Sequence, residues 1–373
     1  MSKSYYSLGL MSGTSMDGVD ASIIQSDGKS KYKTILDKYF EYPKDIFKDL
    51  TTLRDKIKSS KDLKRFGKQT KSIEREITLF HAKVASKIIK KSKLNVDFIG
   101  FHGQTIFHNA EEQISRQLGD GKLLSKLTKK RVVYNFRQND LKNGGQGAPL
   151  TPIFHSILVK QKKISLPVVI LNIGGIANYT FIDEKGVSSS SDLGPGNCLI
   201  DQWVRLNSKK KYDENGRIAK SGKIKKIILN KALKNFKKKK LIKSSFDVKD
   251  FDISFVRGLS LEDGAATLTE YTSEILYEYL IDPEGGTWES TIIAGGGRKN
   301  KFLIKSIEDK IKSLGTLNSP LKLIDDYGVD GDFVESQAFA YLAIRSYLNL
   351  PISFPETTGV REPCNGGTIV KNF

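Results

Sequence analysis

The stretch LGLMSGTSMDGVDAS, residues 8–22, places two apolar runs on either side of a turn rich in glycine and small hydroxyl side chains. Glycine lets a backbone approach a ligand closely, and successive N–H groups in such a turn can bind an anion such as phosphate. An ordinary hairpin turn that only reverses the chain has the same pattern. The stretch therefore predicts a β-hairpin and leaves phosphate binding open until the rest of the chain is considered.

The composition is that of a globular protein with two domains. The chain has 373 residues, which is longer than one hydrophobic core usually serves, so two domains or one fold with two lobes are expected. Its residues are 38% hydrophobic and 28% charged. No apolar run approaches the roughly 20 residues that span a bilayer. The start, MSKSYYSLGL, lacks the apolar region and cleavage site of a secretion signal, and Cys198 and Cys364 are too few for a disulfide framework. We therefore expect a cytoplasmic protein with no membrane segment.

A formal net charge of +19 raises the question of nucleic-acid binding. The densest lysine runs, Lys209–Lys211 and Lys237–Lys240, lie in a stretch that otherwise predicts an amphipathic helix. No zinc-finger spacing or aromatic RNA-binding motif accompanies them. We expect a solvated basic surface and no specific nucleic-acid partner, although recruitment of anionic partners fits the same charge. The apolar face of that helix is expected to contain Ile224, Ile227, Ile228, Leu233, Phe236 and Leu241.

Strand and helix patterns alternate along the chain, which predicts an α/β fold. The stretch LKNGGQGAPLTPIFH, residues 141–155, is rich in glycine and proline and is the expected lobe boundary. The predicted domains are 1–145 and 146–373, with the C-terminal segment free to pack back on the first. The predicted strands are 5–11, 20–26, 32–41, 98–101, 132–136, 168–173, 179–182, 291–294 and 321–324, and the predicted helices 44–59, 72–91, from 197, 261–280, after 300 and 334–348.

A second and a third glycine cluster strengthen the case for a nucleotide. VVILNIGGIANYTFID, residues 168–183, repeats the strand, glycine turn and strand of the first hairpin, and IIAGGGRKN, residues 292–300, ends a strand and opens a helix. Neither GxxxxGK[ST] nor a GxGxxG between strand and helix is present. Each glycine cluster alone could serve only to form a turn. Three glycine clusters at strand ends favour nucleotide binding, in which the backbone N–H groups of two facing hairpins would surround the phosphate tail.

Polar candidates lie close to these clusters in the sequence. In SSSDLGPGN, Asp192 precedes a Gly-Pro-Gly turn and is expected at a strand end, as a general base or metal ligand; a turn or cap role fits too. In FHGQT, His102 and Gln104 follow an apolar strand and are placed to bind sugar hydroxyls, although a histidine that closes a core strand is equally common.

Two other kinds of site find little support. His81 and His108 show no metal-ligand spacing with His102. A serine hydrolase based on Ser12 or Ser15 would need a GxSxG elbow, and the sequence has none.

Seven motifs occur in this order along the chain: MSGTSMDGVD (11–20), FHGQT (101–105), GGQGAPLTPIFH (144–155), NIGGIAN (172–178), DLGPGN (192–197), GGGRKN (295–300) and VESQAFAYLA (334–343). Together they resemble the anhydro-N-acetylmuramic acid kinase family, which belongs to the actin, sugar kinase and Hsp70 superfamily. The resemblance implies a two-lobed actin-like fold with an RNase H-like core in each lobe. It also implies a cleft between the lobes for ATP and Mg²⁺, and a role in recycling peptidoglycan sugars.

The chain departs from the family pattern in two places. Leu193 stands where the family often has threonine, and residues 244–270 replace a motif of the Lys-Ser-Thr-Gly-Arg-Glu type. The contacts of residues 246–263 are therefore not implied by the resemblance.

The chemistry that the resemblance implies follows from the substrate. In a 1,6-anhydro sugar, O6 is locked in an acetal with C1 and has no free hydroxyl. Ring opening and phosphorylation must therefore be coupled. By resemblance, Asp192 is the base that activates water for attack on C1, while O6 attacks the γ-phosphorus. Forming a phosphoester stabilises the leaving oxygen, so one carboxylate suffices where glycosidases use two.

The resemblance also implies the binding residues. Gly13–Asp20 would hold the phosphates through N–H groups and hydroxyls, and Asp17 or Asp20 would reach Mg²⁺ directly or through water. Arg137 is the candidate for the lactyl carboxylate and Glu335 for hydroxyls, although either could form a lobe-packing ion pair. His102 and Gln104 complete the sugar side. The cofactor-binding set is Gly13, Thr14, Ser15, Met16, Asp17, Gly18, Val19, Asp20, Gly174, Gly175, Gly295, Gly296 and Gly297.

Two functions besides this kinase remain compatible with the sequence: another sugar kinase of the superfamily, and an actin-like or Hsp70-like ATPase without a sugar substrate. The expected partner is a small sugar, and a homodimer is compatible with the sequence.

Overall fold

The computed structural model describes residues 3–240, 245–281, 288–313 and 320–373. They divide into two compact units: a first unit, Met1–Lys163 with Asp332–Phe373, and a second unit, Ile164–Gly331. The first unit extends past the expected boundary at residue 145 because the helix Pro152–Gln161 belongs to it. Gln161 in that helix exchanges two hydrogen bonds with the backbone of Tyr32, and the Phe154 ring lies 4.9 Å from the Tyr32 ring. The C-terminal segment also belongs to the first unit.

The structure forms the following strands and helices. The strands are β1 Tyr5–Ser12, β2 Gly18–Ser26, β3 Tyr32–Glu41, β4 Phe98–Asn109, β5 Ile114–Leu118, β6 Arg131–Tyr134, β7 Val168–Ile173, β8 Ile176–Ile182, β9 Ser188–Pro195, β10 Ser290–Ala294, β11 Leu321–Leu323 and β12 Thr368–Val370. The α-helices are α1 Lys44–Lys56, α2 Ser60–Arg65, α3 Gly67–Ser92, α4 Gly121–Thr128, α5 Gln138–Lys142, α6 Pro152–Gln161, α7 Cys198–Asn207, α8 Arg217–Ser221, α9 Lys226–Lys240, α10 Leu261–Ile281, α11 Lys301–Ser313, α12 Val334–Tyr347 and α13 Pro355–Thr358.

The sheet of the first unit has the strand order β12-β6-β4-β1-β2-β3, with β5 paired to β4. Strands β1, β2 and β3 form an antiparallel meander. β4 then pairs with β1 in parallel, and β6 pairs with β4 in parallel. The parallel strands need long crossovers, and α3 and α4 provide them.

The sheet of the second unit repeats this plan with the order β11-β10-β7-β8-β9. Here β7, β8 and β9 form the antiparallel meander. β10 and β11 continue the sheet in parallel. A three-stranded meander extended by two parallel strands is the RNase H-like core, and it occurs once in each unit. The prediction of a duplicated RNase H-like core in an α/β protein is confirmed.

The first sheet packs against an unusually close helix. A Cβ on Gly9 of β1 would lie 1.8 Å from the carbonyl oxygen of Ser336, and one on Gly100 of β4 would lie 2.2 Å from that of Phe339. Both carbonyls belong to α12, so only glycine permits this approach. The Ser336 hydroxyl also lies 2.6 Å from the Ser22 hydroxyl on β2. Helix α12 thus covers the centre of the sheet, and 12 of its 14 residues are buried.

Helix α3 covers the same sheet with one apolar face. Ile73, Ile77, Val84 and Ile88 recur at helical spacing and are all buried, and His81 lies on that face with no exposed surface. The helix ends at Lys93, which adopts a left-handed conformation. A histidine is therefore fixed within the apolar interior beside β1.

Several predicted elements differ from the structure. The strand expected at residues 98–101 continues to Asn109, and β9 lies in a serine-rich run that gave no apolar signal. Lys209–Lys211 lie outside any helix, whereas Lys237–Lys240 end α9. The predicted apolar face is partly wrong, because Ile227 is 88% exposed while Leu229, Ala232 and Phe236 are the buried residues of α9. Ile224 is also exposed, and Leu241 lies outside the described residues.

No α-helix in the described ranges is both long enough and apolar enough to cross a membrane.

Candidate functional site

The turn between β1 and β2 is held at both ends by hydrogen bonds. The Gly13 carbonyl accepts from the backbone N–H of Met16 at 3.2 Å and from the Gln104 side chain at 2.9 Å. The Asp17 carbonyl accepts from the backbone N–H of Tyr42 at 2.8 Å. Met16 has a φ of 59°, a left-handed conformation that non-glycine residues rarely adopt. Such strain persists only where the surroundings fix the backbone.

The tip of this turn presents unused donors. The backbone N–H groups of Thr14 and Ser15 make no hydrogen bond to any described residue, and both residues are exposed. The Ser15 hydroxyl donates to the Asp17 carboxylate at 2.6 Å. Adjacent free N–H groups together with hydroxyls can bind an anion such as phosphate.

Not every residue of this predicted set can offer its side chain. Gly18, Val19 and Asp20 lie in β2, and a Cβ on Gly18 would lie 2.5 Å from the Phe40 carbonyl oxygen. The side chains of Met16 and Val19 are buried in the core of the first unit. Met16 and Val19 therefore shape the hairpin from below, and only their backbone can face a ligand.

The hairpin of the second unit has a shorter turn, which consists of Gly174 and Gly175 and is held by the DLGPGN motif. The carbonyls of Gly174 and Gly175 accept the backbone N–H groups of Gly196, Asn197 and Cys198 at 2.8–3.2 Å. A Cβ on Gly196 would lie 2.3 Å from the Gly174 oxygen. The DLGPGN motif thus packs directly on the second glycine turn.

The third glycine cluster packs on the same hairpin. Gly295 has a φ of +77°, and a Cβ there would lie 2.4 Å from Oδ1 of Asn172. A Cβ on Gly297 would lie 2.3 Å from the Ile173 side chain, whereas nothing lies within 4 Å of one on Gly296. The structure therefore brings together the glycine clusters at residues 174–175 and 295–297, and Gly296 faces open space.

A buried arginine holds the third cluster in place. Arg298 donates through Nε to Asp325 at 2.6 Å and through a second nitrogen at 3.0 Å, and it also donates to the Gly295 carbonyl at 3.1 Å. It lies 3.3 Å from Asp330. The hydrogen bond from Arg298 outweighs burial and lowers the pKa of Asp325. The sequence analysis did not predict the hydrogen bonds of Arg298, although an arginine directly after three glycines could have indicated a structural role.

Asp192 lies within β9 rather than at a strand end as expected. It pairs with Asn178 on β8, and its Oδ2 accepts the backbone N–H of Phe246 at 2.9 Å and lies 3.4 Å from the Ser245 hydroxyl. Hydrogen bonds to a carboxylate are stronger than those to a neutral acceptor, so these donors fix the orientation of the Asp192 side chain. Its donors come from the segment in which the chain departs from the family pattern.

His102 and Gln104 lie inside β4 and are buried, which corrects their expected place after the strand. Nδ1 of His102 is 2.8 Å from the Gly103 carbonyl, which can only accept, so Nδ1 carries the hydrogen. Nε2 then accepts from Arg137 at 2.9 Å. Burial first, and then the Arg137 charge, lowers the pKa of His102 well below 6.5.

Arg137 connects His102 to the loop that contains GGQGAP. Its other nitrogen donates to the Gly147 carbonyl at 2.8 Å. Gly147 in turn donates its N–H to the buried carboxylate of Asp140 at 2.6 Å, and that carboxylate also accepts the Thr358 hydroxyl at 2.6 Å. Asp140 was not among the predicted site residues, because nothing in NFRQND distinguishes it from a surface aspartate.

Glu335 lies at the start of α12 within reach of the Arg137 charge. Burial raises the pKa of Glu335, and Arg137 acts in the opposite direction. No hydrogen bond joins the Glu335 carboxylate to a described residue. The structure therefore groups His102, Arg137 and Glu335 in the first unit. A guanidinium beside a carboxylate of raised pKa can bind an anionic group and exchange a proton.

No group of three or more histidine, cysteine, aspartate or glutamate side chains that could hold a metal ion occurs among the described residues.

A duplicated RNase H-like core defines the actin-like class of proteins, to which sugar kinases belong. The chain belongs to the anhydro-N-acetylmuramic acid kinase family, whose sequence model matches residues 5–372. Membership in this family makes the chain an enzyme and a kinase, as the sequence motifs indicate.

Curated proteins of this name resemble the chain over its whole length. The one from Pelagibacter ubique is 57% identical over 382 residues, covering 100% of both chains. The one from Zymomonas mobilis is 39% identical and covers 97% of this chain and 98% of its own. The one from Agrobacterium fabrum is 36% identical and covers 98% of each.

Proposed function

We propose that the protein opens 1,6-anhydro-N-acetylmuramic acid with water and phosphorylates O6 with ATP. The products would be N-acetylmuramic acid 6-phosphate and ADP, and the reaction would recycle cell-wall sugar. The observation that carries this proposal is the family match over residues 5–372. The site geometry supports it step by step.

The turn of the first unit supplies donors for phosphate. Thr14 and Ser15 offer two backbone N–H groups that have no partner among the described residues, and the Thr14 hydroxyl lies beside them. The Ser15 hydroxyl donates to the Asp17 carboxylate. Fixed donors cost no reorganisation when charge develops on the phosphate, so they stabilise the transition state efficiently. Gly174, Gly175 and Gly295–Gly297 are proposed to leave room for the remainder of the nucleotide, with Gly296 as the position most open to a ligand.

Asp192 is proposed as the general base. Its carboxylate accepts the Phe246 N–H, which holds the group in a fixed orientation. It removes a proton from water as the water oxygen bonds to C1, and the C1–O6 bond breaks. O6 takes the electron pair and attacks the γ-phosphorus, and the bond from that phosphorus to the bridging oxygen breaks to release ADP. At the end of this step Asp192 holds the proton, O6 carries the phosphoryl group, and the bridging oxygen leaves with ADP.

His102, Arg137 and Glu335 are proposed to bind the sugar. A lactyl carboxylate suits the Arg137 guanidinium, which is oriented by the His102 ring at 2.9 Å. The Glu335 carboxyl has no hydrogen bond to a described residue and is available to sugar hydroxyls. The Gln104 amide nitrogen donates to the Gly13 carbonyl and supports the phosphate turn, and its role in sugar binding stays a proposal.

Asp17 and Asp20 fit a Mg²⁺ site of the kind that kinases use. Mg²⁺ keeps several waters and takes phosphate oxygens, so one or two protein carboxylates are sufficient. Asp17 ends the turn and Asp20 lies three residues further along β2, and both are only partly buried. When bound, the ion would neutralise charge that develops on the transferred phosphoryl group.

A coupled ADP-release assay tests this function with 1,6-anhydro-N-acetylmuramic acid, N-acetylmuramic acid and N-acetylglucosamine. We expect turnover with the anhydro sugar, and ¹⁸O from labelled water at C1 of the product. Activity with the ordinary sugars alone would identify a different sugar kinase. ADP release without any sugar, with ¹⁸O in inorganic phosphate, would identify an ATPase and overturn the proposal.

A further inference from the structure

A buried chain of hydrogen bonds lies beneath the turn of the first unit. Ser12, the last residue of β1, is 1% exposed, and its hydroxyl is 2.8 Å from the Tyr42 hydroxyl and 3.3 Å from Nε2 of His81. The other ring nitrogen of His81 is 2.8 Å from the Ile77 carbonyl. Three side chains from β1, α3 and the residue after β3 thus meet directly behind Gly13.

The direction of every hydrogen bond in this chain is determined. A carbonyl oxygen only accepts, so Nδ1 of His81 carries the hydrogen and Nε2 of the neutral ring is an acceptor. Ser12 therefore donates to His81, and its oxygen accepts from the Tyr42 hydroxyl. Burial lowers the pKa of His81 to about 4, which keeps the ring neutral near pH 7.

Tyr42 contacts both ends of the turn. Its hydroxyl bonds to Ser12, the residue before the turn, and its backbone N–H donates to the carbonyl of Asp17 at 2.8 Å. The ring is 4% exposed and packs 5.1 Å from the ring of Phe80. One rigid residue therefore fixes the spacing between the start and the end of the turn.

We propose that Tyr42 is a positioning residue, which holds the turn so that the N–H groups of Thr14 and Ser15 converge on a phosphate. It acts through Ser12 and Asp17 and does not itself touch the ligand. This inference rests on the proposed function, in which that turn binds the phosphates of ATP.

The test is Tyr42→Phe in the full-length enzyme, because this change removes one oxygen and keeps the ring and the backbone N–H. A net hydrogen bond corresponds to roughly a fivefold to tenfold change in an equilibrium constant. We expect the KM for ATP to rise by about that factor while the KM for the anhydro sugar stays within twofold. Tyr347→Phe is the matched control, because Tyr347 lies elsewhere in the first unit and is 39% exposed.

A double-mutant cycle with Ser12→Ala separates positioning from packing. If the two hydroxyls act as one chain, Tyr42→Phe in the Ser12→Ala background changes the KM for ATP by less than twofold. An unchanged KM for ATP in Tyr42→Phe, or an equal rise for both substrates, would overturn the inference. The wild-type assay is read independently: if it shows no sugar phosphorylation, the proposed function fails, whereas an active wild type with an unaffected Tyr42→Phe defeats only this inference.

Discussion

Three buried histidines make the first unit sensitive to mild acid. Burial lowers the pKa of both His81 and His155 from the ordinary value of 6.5 to about 4, and burial together with the Arg137 charge lowers that of His102 well below 6.5. The unfolded chain binds protons below pH 6.5, whereas the folded chain keeps the His81 and His155 rings neutral down to about pH 4. Their contribution to stability is therefore complete above pH 6.5 and is lost as the pH falls towards 4.

The size of the effect follows from the two pKa values. At pH 5, His81 and His155 each lower the free energy of unfolding by about 2 kcal/mol, so the two together lower it by about 4 kcal/mol relative to pH 7.5. His102 adds to this loss, because its pKa is lowered in the same direction. A domain has only about 5–15 kcal/mol of total stability. We therefore expect the first unit to lose a substantial share of its stability between pH 6.5 and pH 5.

Urea denaturation followed by circular dichroism at pH 7.5, 6.5, 5.5 and 5 measures this loss. His155→Gln should remove about 2 kcal/mol of the pH dependence, because glutamine does not titrate. Asp27→Asn is the control: burial is outweighed by the N–H groups of Lys29, Lys31 and Ser30, which lower the pKa of Asp27 to about 2. Its effect should be constant above pH 5. A wild-type stability that changes by less than about 1 kcal/mol from pH 7.5 to 5 would refute the reasoning.

Two further predictions concern the second unit. Asp192→Asn should lower kcat by roughly 10²–10⁴ while the KM for ATP and the melting temperature stay near wild type. Asp183→Asn, in the exposed turn between β8 and β9, is the control and should leave kcat, the KM for ATP and the melting temperature unchanged. Near-normal turnover of Asp192→Asn would remove it from the general-base role. Gly295→Ala should destabilise the unit by at least about 2 kcal/mol, because it combines a φ of +77° with a 2.4 Å contact, whereas Gly296→Ala has open space and should cost less than about 1 kcal/mol. Thermal unfolding of the two alanine variants checks this pair, and equal melting temperatures would contradict it.

The glycine hairpins could be predicted because they depend on local patterns, whereas the duplicated RNase H-like core was implied by the family resemblance. The run of residues 8–22 combines alternating apolar residues with a glycine turn, and the hairpin forms as Tyr5–Ser12 and Gly18–Ser26. Residues 168–183 repeat the pattern and form the equivalent hairpin. Short-range signals of this kind survive folding because the turn chemistry and the tertiary packing agree.

The contacts that orient the site could not be predicted, because they join residues far apart in sequence. The Thr358 hydroxyl reaches Asp140 across 218 positions, and Gln104 reaches the Gly13 carbonyl across 91. Strand β9 was missed since a run of serines has no apolar alternation, and its pairing with β8 decides its conformation. Tertiary pairing overrides weak local propensity in such segments.

The first unit is assembled from both ends of the chain, and this has a consequence for folding during synthesis. Helix α12, which buries the middle of the first sheet, is complete only at Tyr347, whereas the second unit ends at Gly331. The ribosome therefore releases all of the second unit before the helix that closes the first. Until then, the apolar face around Gly9 and Gly100 has no cover of its own. A truncation near residue 330 should accordingly leave the second unit able to fold and the first unit prone to aggregate.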